Sequence, residues 1–319
     1  MSVTTAIIGL GIMGRRMLEH MDRHEGYTPV ALWDPDATAC AEALKLAPEA
    51  VIAETPEAAI AAADLVYLAC PPVLRKAYAL AAAAAGKAVF LEKPLGVDVA
   101  ESEDLVARLA GFGVPAAANF TQAAGVAMTG VAQAAQSGAL GEVLGADIVV
   151  TYGAWPRAWQ VDADWLRFRA EGGMTREVIS HFLFFSERIL GPLKVVWARP
   201  SYPADDRLCE THMLARLEAA DGRARHRHGQ RRRRPARPAG ADHQGQQAQP
   251  PDHRFLCRCG LGRGRIRPGW TLPEDPRAAS LKAQLDDLLL LLDGRPSRLA
   301  TPAEALRVQK LVEAMLAGV

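Results

Sequence analysis

Two hydrophobic periods alternate along this chain. Short apolar or β-branched runs at Thr4–Gly9, Tyr27–Trp33, Leu65–Ala69, Ala88–Leu91 and Pro115–Asn119 predict strands. Helical patterns lie between them, an alanine-rich one over Val73–Ala85 and another over Glu101–Ala110. Strands alternating with helices of this length predict an α/β unit with a parallel sheet covered on both faces. Beyond Asn119 the pattern changes. Thr121–Ser137 predicts a helix closed by Gly138-Ala139-Leu140-Gly141, and Glu142–Tyr152 a long strand. A helix follows over Met174–Leu190, stopped by Gly191-Pro192. Two more close the chain, Ser280–Leu292 and Thr301–Leu316, separated by an Asp293-Gly294-Arg295-Pro296 turn. We read two domains, 1–119 and 120–319.

The first strand runs directly into Gly9-Leu10-Gly11-Ile12-Met13-Gly14. After a strand and at the start of a helix, this spacing is the dinucleotide-binding fingerprint of a Rossmann domain. Gly9 would make the tight turn, Gly11 would admit the pyrophosphate, and Gly14 would let the helix pack closely. The phosphates would rest on the helix N-terminal amides around Ile12 and Met13. The second strand ends in Asp34, where a carboxylate should meet the ribose hydroxyls. That charge would repel a 2′-phosphate, and Pro35, Asp36 and Ala37 bring no arginine to offset it, so NAD(H) is expected over NADP(H). Cys70 and Pro71, at the end of another strand, should face the cofactor. With no activating partner near in sequence, Cys70 reads as a pocket-lining residue and not a nucleophile.

Glu92-Lys93-Pro94 follows the Ala88–Leu91 strand. Charged residues at that end of a parallel sheet stand at its ligand-binding mouth. Lys93 there could hydrogen-bond a hydroxyl or carbonyl beside the nicotinamide, or be a surface lysine in a turn. With the glycine motif and Asp34, this stretch resembles the Gfo/Idh/MocA oxidoreductases, the glucose–fructose oxidoreductase and inositol dehydrogenase family. The resemblance implies that Lys93 contacts substrate and assists proton transfer, and that Pro94 follows a cis peptide. It implies a second domain with an open, mainly antiparallel sheet, and a homo-oligomer formed through that sheet.

Gly172-Gly173 precedes the Met174–Leu190 helix, on which Glu177 and His181 stand four apart. That spacing would let the carboxylate orient the imidazole, leaving the other ring nitrogen to move a proton. The competing reading is a core histidine among Phe182, Phe184 and Phe185. The family's Asp-x-Gly-x-His helix assigns the catalytic role to His181, beside Lys93. Glu177 then stands for the aspartate, Ile179 for the glycine, and Phe184 for an acidic residue, which would remove a hydroxyl ligand and speaks against a polyhydroxylated sugar. Trp155, Trp159 and Trp165 could wall a substrate pocket, though packing against the sheet is the commoner use of such residues, and Arg167, Arg169 and Arg176 could anchor a carboxylate or phosphate, with surface ion pairs as the default reading.

Composition narrows the class. The chain has 319 residues, half of them hydrophobic, and a net charge of +1. Five scattered cysteines give no disulfide framework. Met1–Thr5 lacks a basic leader and no apolar run approaches the roughly 18 residues of a membrane span, so a soluble cytoplasmic protein is expected. The near-neutral charge hides an asymmetry. Arg223–Arg267 holds 13 arginines against two aspartates, and the remainder carries 24 basic and 34 acidic residues.

That segment resembles neither strand nor helix. As a nucleic-acid-binding insert it lacks interleaved aromatics. As a metal site, Cys257-x-Cys259 with His243 and His253 misses standard zinc spacing, so no metal is expected. A compensated double frameshift, entering near Asp221–Arg225 and leaving near Pro268–Thr271, accounts for it best. Arginine codons read one base later become Val, Ala, Asp or Gly codons and histidine codons Thr or Ile codons, so Arg225-His226-Arg227-His228 can be recoded as an alternating strand pattern. The segment is therefore expected to lack regular strands, or to show poorly packed ones, and to damage the second sheet.

The sequence thus points to an NAD-dependent dehydrogenase or reductase acting on a sugar, cyclitol or related small hydroxy compound. The competing readings are a non-catalytic dinucleotide-binding regulator and an inactive frameshift product.

Overall fold

A computed structural model describes residues 2–121, 123–139, 142–160, 163–219, 252–260 and 275–319. The N-terminal half is a six-stranded sheet built from β1 (Val3–Ile8), β2 (Tyr27–Trp33), β3 (Val51–Ile52), β4 (Leu65–Leu68), β5 (Ala88–Glu92) and β6 (Ala116–Asn119). Every neighbouring pair is parallel, in the order β3-β2-β1-β4-β5-β6. β4 and β5 are buried at every position, because helices cover both faces of the sheet. The strand order reverses between β1 and β4, which opens a crevice beyond their carboxyl ends, at Gly9 and Cys70.

The helices of this half show why the crevice can take a ligand. In α2 (Ala37–Leu44), α3 (Pro56–Ala61) and α5 (Val99–Phe112) the first turn is capped by a side chain, from Asp36, Thr55 and Asp98. Two others, α1 (Ile12–Asp22) and α4 (Pro72–Ala84), start at Gly11 and Pro71 without one. Their leading amides therefore face the crevice without a side-chain acceptor.

Beyond β6 come α6 (Val126–Gln136), β7 (Glu142–Thr151), α7 (Ser180–Leu190), β8 (Leu193–Ser201), β9 (His212–Ala219) and β10 (Asp252–Gly260). The strands form two antiparallel pairs, β7 with β10 and β8 with β9. β10 corrects the first expectation for Arg223–Arg267, that the segment lacks regular strands. Its pairing runs from Asp252 opposite Thr151 to Gly260 opposite Glu142. Phe255, Cys257 and Cys259 recur at every second position there, with Arg254, Leu256 and Arg258 at the alternate positions, a partial strand period that the arginine content masks. The rest of that segment, 223–251 and 261–267, lies outside the described residues, as do both proposed frame boundaries.

The final helices, α8 (Pro276–Leu292) and α9 (Pro302–Ala317), return to the first half. Leu281, Leu285 and Leu288 of α8 join the core of Ile7, Leu10, Met17 and Met21. Helix α9 packs on α5, α7 and β8 and opens with a full capping box between Thr301 and Glu304. Three ion pairs tie it to the segment carrying His181: Arg176–Glu313 at 2.7 Å, Arg188–Glu304 at 2.7 Å and Arg307–Glu187 at 3.1 Å. Among the described residues, no helix is long and apolar enough to cross a membrane.

Candidate active site

One cavity of about 1340 Å³ runs from the glycine motif to the second half of the chain. That exceeds the space a drug-sized ligand needs and suits a dinucleotide with a second molecule beside it. Gly9, Gly11, Ile12, Met13, Asp34, Cys70, Pro71, Glu92, Lys93, Glu177 and His181 all line it. Gly14 does not. It packs beneath the turn, where a Cβ would stand 1.9 Å from the Gly9 carbonyl oxygen. A Cβ on Gly9 would meet the Cys70 nitrogen at 2.4 Å, whereas one on Gly11 would meet nothing within 4 Å. Asp34 is fixed by two backbone amides, Leu10 N–H to Oδ2 at 2.7 Å and Asp36 N–H to Oδ1 at 2.9 Å. Burial pushes the Cys70 thiol pKa up, away from thiolate chemistry.

The Glu92-Lys93-Pro94 turn is held from below by Arg75, which the sequence reading missed. Its buried guanidinium donates to the carbonyls of Cys70 at 2.6 Å, Glu92 at 2.8 Å and Pro94. The Lys93–Pro94 peptide is cis. The Glu92 carboxylate points inward and accepts from the Tyr67 hydroxyl and from Asn119 Nδ2 at 2.5 Å. Burial pushes its pKa up, while Lys93, Tyr67, Arg75 and Asn119 pull against that shift.

The helix carrying Glu177 and His181 departs from expectation. It opens as a π-helical turn over Thr175–Ile179 and becomes α-helical only at Ser180. Gly172 and Gly173 are required at its entry. A Cβ on Gly172 would come within 2.5 Å of the Trp165 and Leu166 carbonyl oxygens, and Gly173 takes φ +107° against Glu210. Glu210 in turn accepts the Thr175 N–H at 2.6 Å.

The π turn changes which groups meet, because residues four apart no longer stack as they do on an α-helix. Glu177 therefore does not orient His181, and that expectation is corrected. Its carboxylate instead accepts from the Lys93 ammonium, from Gln160 Nε2 at 3.2 Å and from Arg157 Nη2 at 3.4 Å. Its main-chain carbonyl accepts from Lys93 Nζ at 3.0 Å.

His181 is held by packing, edge-on to Phe120 with ring centroids 5.6 Å apart. Among the described residues its Nδ1 has no hydrogen-bond partner. Burial, then the charges of Lys93 and Arg157, push the imidazole pKa well below its usual value near 6.5. The ring is neutral near pH 7.

For several other residues the structure chooses between the two readings the sequence offered. Phe184 stacks on Phe120 in the core and does not line the cavity, so it touches no ligand there. Arg167, Arg169 and Arg176 stand outside the cavity. Arg167 pairs with Asp164, Arg169 lies over Tyr202, and Arg176 binds Glu313 and the carbonyls of Arg169 and Gly172. Trp159 and Trp165 line the cavity, whereas Trp155 packs behind it and donates to the Leu166 carbonyl at 3.0 Å. An arginine of the second half that does line the cavity is Arg157, with Gln160 beside it. Both sit in a loop without periodicity, and the Tyr152–Trp165 aromatic cluster is the one sequence signal that could have drawn attention to them. Among the described residues no cluster of His, Cys, Asp and Glu could hold a metal ion.

Comparisons with known proteins bear on the fold. Residues 3–120 match the Gfo/Idh/MocA family model, described as an oxidoreductase family with an NAD-binding Rossmann fold. No curated protein matches the sequence. Solved structures match nearly the whole chain in fold. GenD2 from gentamicin A biosynthesis, in complex with NAD, superposes with a TM-score of 0.74 at 19% identity, covering 99% of this chain and 94% of that one. A putative myo-inositol dehydrogenase from Sinorhizobium meliloti gives 0.75 at 16% identity, covering 99% and 98%. The WlbA dehydrogenase from Bordetella pertussis, in complex with NADH and UDP-GlcNAcA, gives 0.74 at 16% identity, covering 98% and 94%. Over residues 3–120 this chain is thus similar to the Gfo/Idh/MocA oxidoreductases, and over nearly its whole length it shares the fold of the solved dehydrogenase structures.

Proposed function

We propose that this protein is an NAD-dependent oxidoreductase that interconverts a hydroxyl and a carbonyl on a sugar, cyclitol or related small hydroxy compound. The observation that carries the reading is that Lys93 and His181 line the same cavity as the glycine motif and Asp34. The residues present fit the cofactor. Gly11 leaves open space where pyrophosphate would approach, the α1 amides lack a side-chain cap, and Asp34 is oriented by two backbone amides. Bound NAD would supply the hydride acceptor or donor.

The chain supplies position and proton transfer. His181, neutral near pH 7, takes the hydroxyl proton during oxidation and returns it during reduction. The Lys93 ammonium gives two N–H bonds to Glu177 and keeps a third donor for the reacting oxygen. That donor stabilises negative charge developing on the oxygen in a site shielded from bulk water.

NAD(H) is favoured over NADP(H) by charge. Asp36 and Glu42 line the cavity with Asp34, so a 2′-phosphate would meet three carboxylates. Arg15 also lines it, but its guanidinium is engaged by the Leu10 carbonyl at 2.7 Å. The sugar-type substrate class is supported by the similar structures, one holding NADH with a nucleotide sugar and another coming from the biosynthesis of gentamicin A. The test is reduction of NAD and of NADP by a panel of sugars, cyclitols and small hydroxy acids. Turnover with NAD is expected. Its absence throughout the panel, with NAD still bound, would argue for a non-catalytic protein.

A further inference from the structure

We propose that Gln160 is a positioning residue for Lys93. It fixes the Glu177 carboxylate that aims the ammonium, so that one N–H is kept for the reacting oxygen. The proposal rests on the dehydrogenase reading for that last step only.

Gln160 ends a short helical turn, Ala158–Gln160, in the loop that enters the cavity from the second half of the chain. Its main chain is pinned on both sides. The backbone N–H donates to the Arg157 carbonyl at 2.8 Å, and the carbonyl accepts the Ala163 N–H at 2.9 Å. The residue is 3% exposed. Its amide oxygen accepts from Arg157 Nε at 2.7 Å, and its amide nitrogen donates to Glu177 Oε1 at 3.2 Å. A flipped amide would set an oxygen against the carboxylate and an NH2 against the guanidinium, losing both bonds. The amide therefore has one orientation, with its donor towards Glu177. Arg157 is held in turn against the Trp159 indole, 4.6 Å from the ring centroid.

A terminal carboxylate rotates over a broad range when nothing holds it. In Glu177, Lys93 takes Oε2 and Gln160 takes Oε1, so the carboxylate plane is set from both ends. Arg157 Nη2 stands 3.4 Å from Oε1, long for a hydrogen bond, and adds charge more than direction. The Lys93 ammonium also donates to the Glu177 main-chain carbonyl at 3.0 Å. With two of its three N–H bonds directed, the tetrahedral nitrogen directs the third. Freeing the carboxylate removes one of those two anchors, and the third N–H loses its aim. A residue that only braced its own loop would need just the Arg157 half of this amide.

Two variants separate the halves. Gln160→Glu keeps an acceptor for Arg157 and replaces the donor to Glu177 by an oxygen, whereas Gln160→Leu removes both. The first measurement is steady-state kinetics of the full-length protein with saturating NAD, on the most active of glucose, myo-inositol and lactate. Both variants should lower kcat by about 10- to 100-fold, the worth of a hydrogen bond to a charged group, with KM and NAD affinity nearly unchanged. Wild-type kcat in Gln160→Glu would overturn the proposal, and so would a raised KM with kcat unchanged. Gln160→Glu carries the test alone should Gln160→Leu not fold. The second measurement needs no substrate. In isotope-labelled protein, the NMR signal of the Lys93 ammonium, assigned by its loss in Lys93→Met, should be rigid in the wild type and mobile in Gln160→Glu. A mobile ammonium in the wild type, or a rigid one in both, would overturn the proposal. No turnover of any of the three compounds, with the NMR result as expected, would count against the dehydrogenase reading and leave the positioning of Lys93 standing.

Discussion

The Lys93 ammonium and Glu177 meet across the cavity, the amine bonded to both the carboxylate and the main-chain carbonyl of the same residue. The two side chains are only 8% and 18% exposed. Such a pair fixes an amine that would otherwise sample several rotamers, and it holds the π turn against the Glu92-Lys93-Pro94 loop. Glu177→Gln keeps a hydrogen-bonding group but removes the charge. It should lower kcat/KM by about 10- to 100-fold, the worth of one charge-assisted hydrogen bond. Steady-state kinetics checks this. Wild-type kinetics in the variant would show that Lys93 needs no anchoring.

The glycine motif gives a contrast between two single-methyl changes. Gly14→Ala would force a Cβ to within 1.9 Å of the Gly9 carbonyl, so the first βα turn must shift. It should cost several kcal/mol, as overpacking of a tight site does, and abolish NAD binding. Gly11→Ala meets no atom of the protein, so stability should change by no more than about 1 kcal/mol. Cofactor affinity should nevertheless fall, because the methyl enters the space left for pyrophosphate. Denaturation curves and cofactor fluorescence titrations on both variants separate the two effects.

His181 predicts a direction for pH effects. Its folded pKa lies well below 6.5, through burial first and the Lys93 and Arg157 charges after it. As pH falls from about 6.5 towards the lowered value, the unfolded chain protonates this imidazole before the folded one. Folding stability from this group is complete above that window and is lost within it. Arg157→Gln removes a repelling charge and should raise the pKa, moving the acid limb of alcohol oxidation to higher pH. An NMR titration of the His181 ring reads the shift directly. A pKa unchanged or lowered in that variant would contradict the electrostatic account.

Cofactor choice offers a separate check. Three carboxylates line the β2–α2 end of the cavity, so NAD(H) should bind more tightly than NADP(H). Asp34→Asn should narrow the gap while keeping an acceptor for the Leu10 amide. Tighter NADP(H) binding by the wild type would mean that Arg15 and Arg16 outweigh the carboxylates.

The parallel sheet was legible because its strands are buried on both faces and read as continuous apolar runs, and because the glycine spacing answers to one turn geometry. Lys93 was legible for the same reason: a strand end followed by a charged residue is a local pattern. Glu177 and His181 were found, but their relation was not. Four-residue spacing means a shared face only on an α-helix, and nothing in TREVI announces a π turn. Arg157 and Gln160 come from a loop held by aromatic packing, and Arg75 acts through carbonyls distant in sequence, so periodicity carries no trace of them. The β10 strand was hidden by composition, since arginine density outweighed a two-residue alternation confined to nine positions. The closing helix pattern gave no sign that α8 packs against α1, because an apolar stripe specifies burial and not its partner.

The central claim is that His181 moves the proton while hydride passes at the nicotinamide end of the cavity. Its most direct measurement is NADH formation by wild type and by His181→Ala, on the best hydroxy substrate of the panel, with NAD affinity measured in parallel. The account predicts a loss of turnover of about 10²- to 10⁴-fold, the range of general acid–base catalysis, with NAD affinity nearly unchanged. Turnover retained in the variant would contradict it.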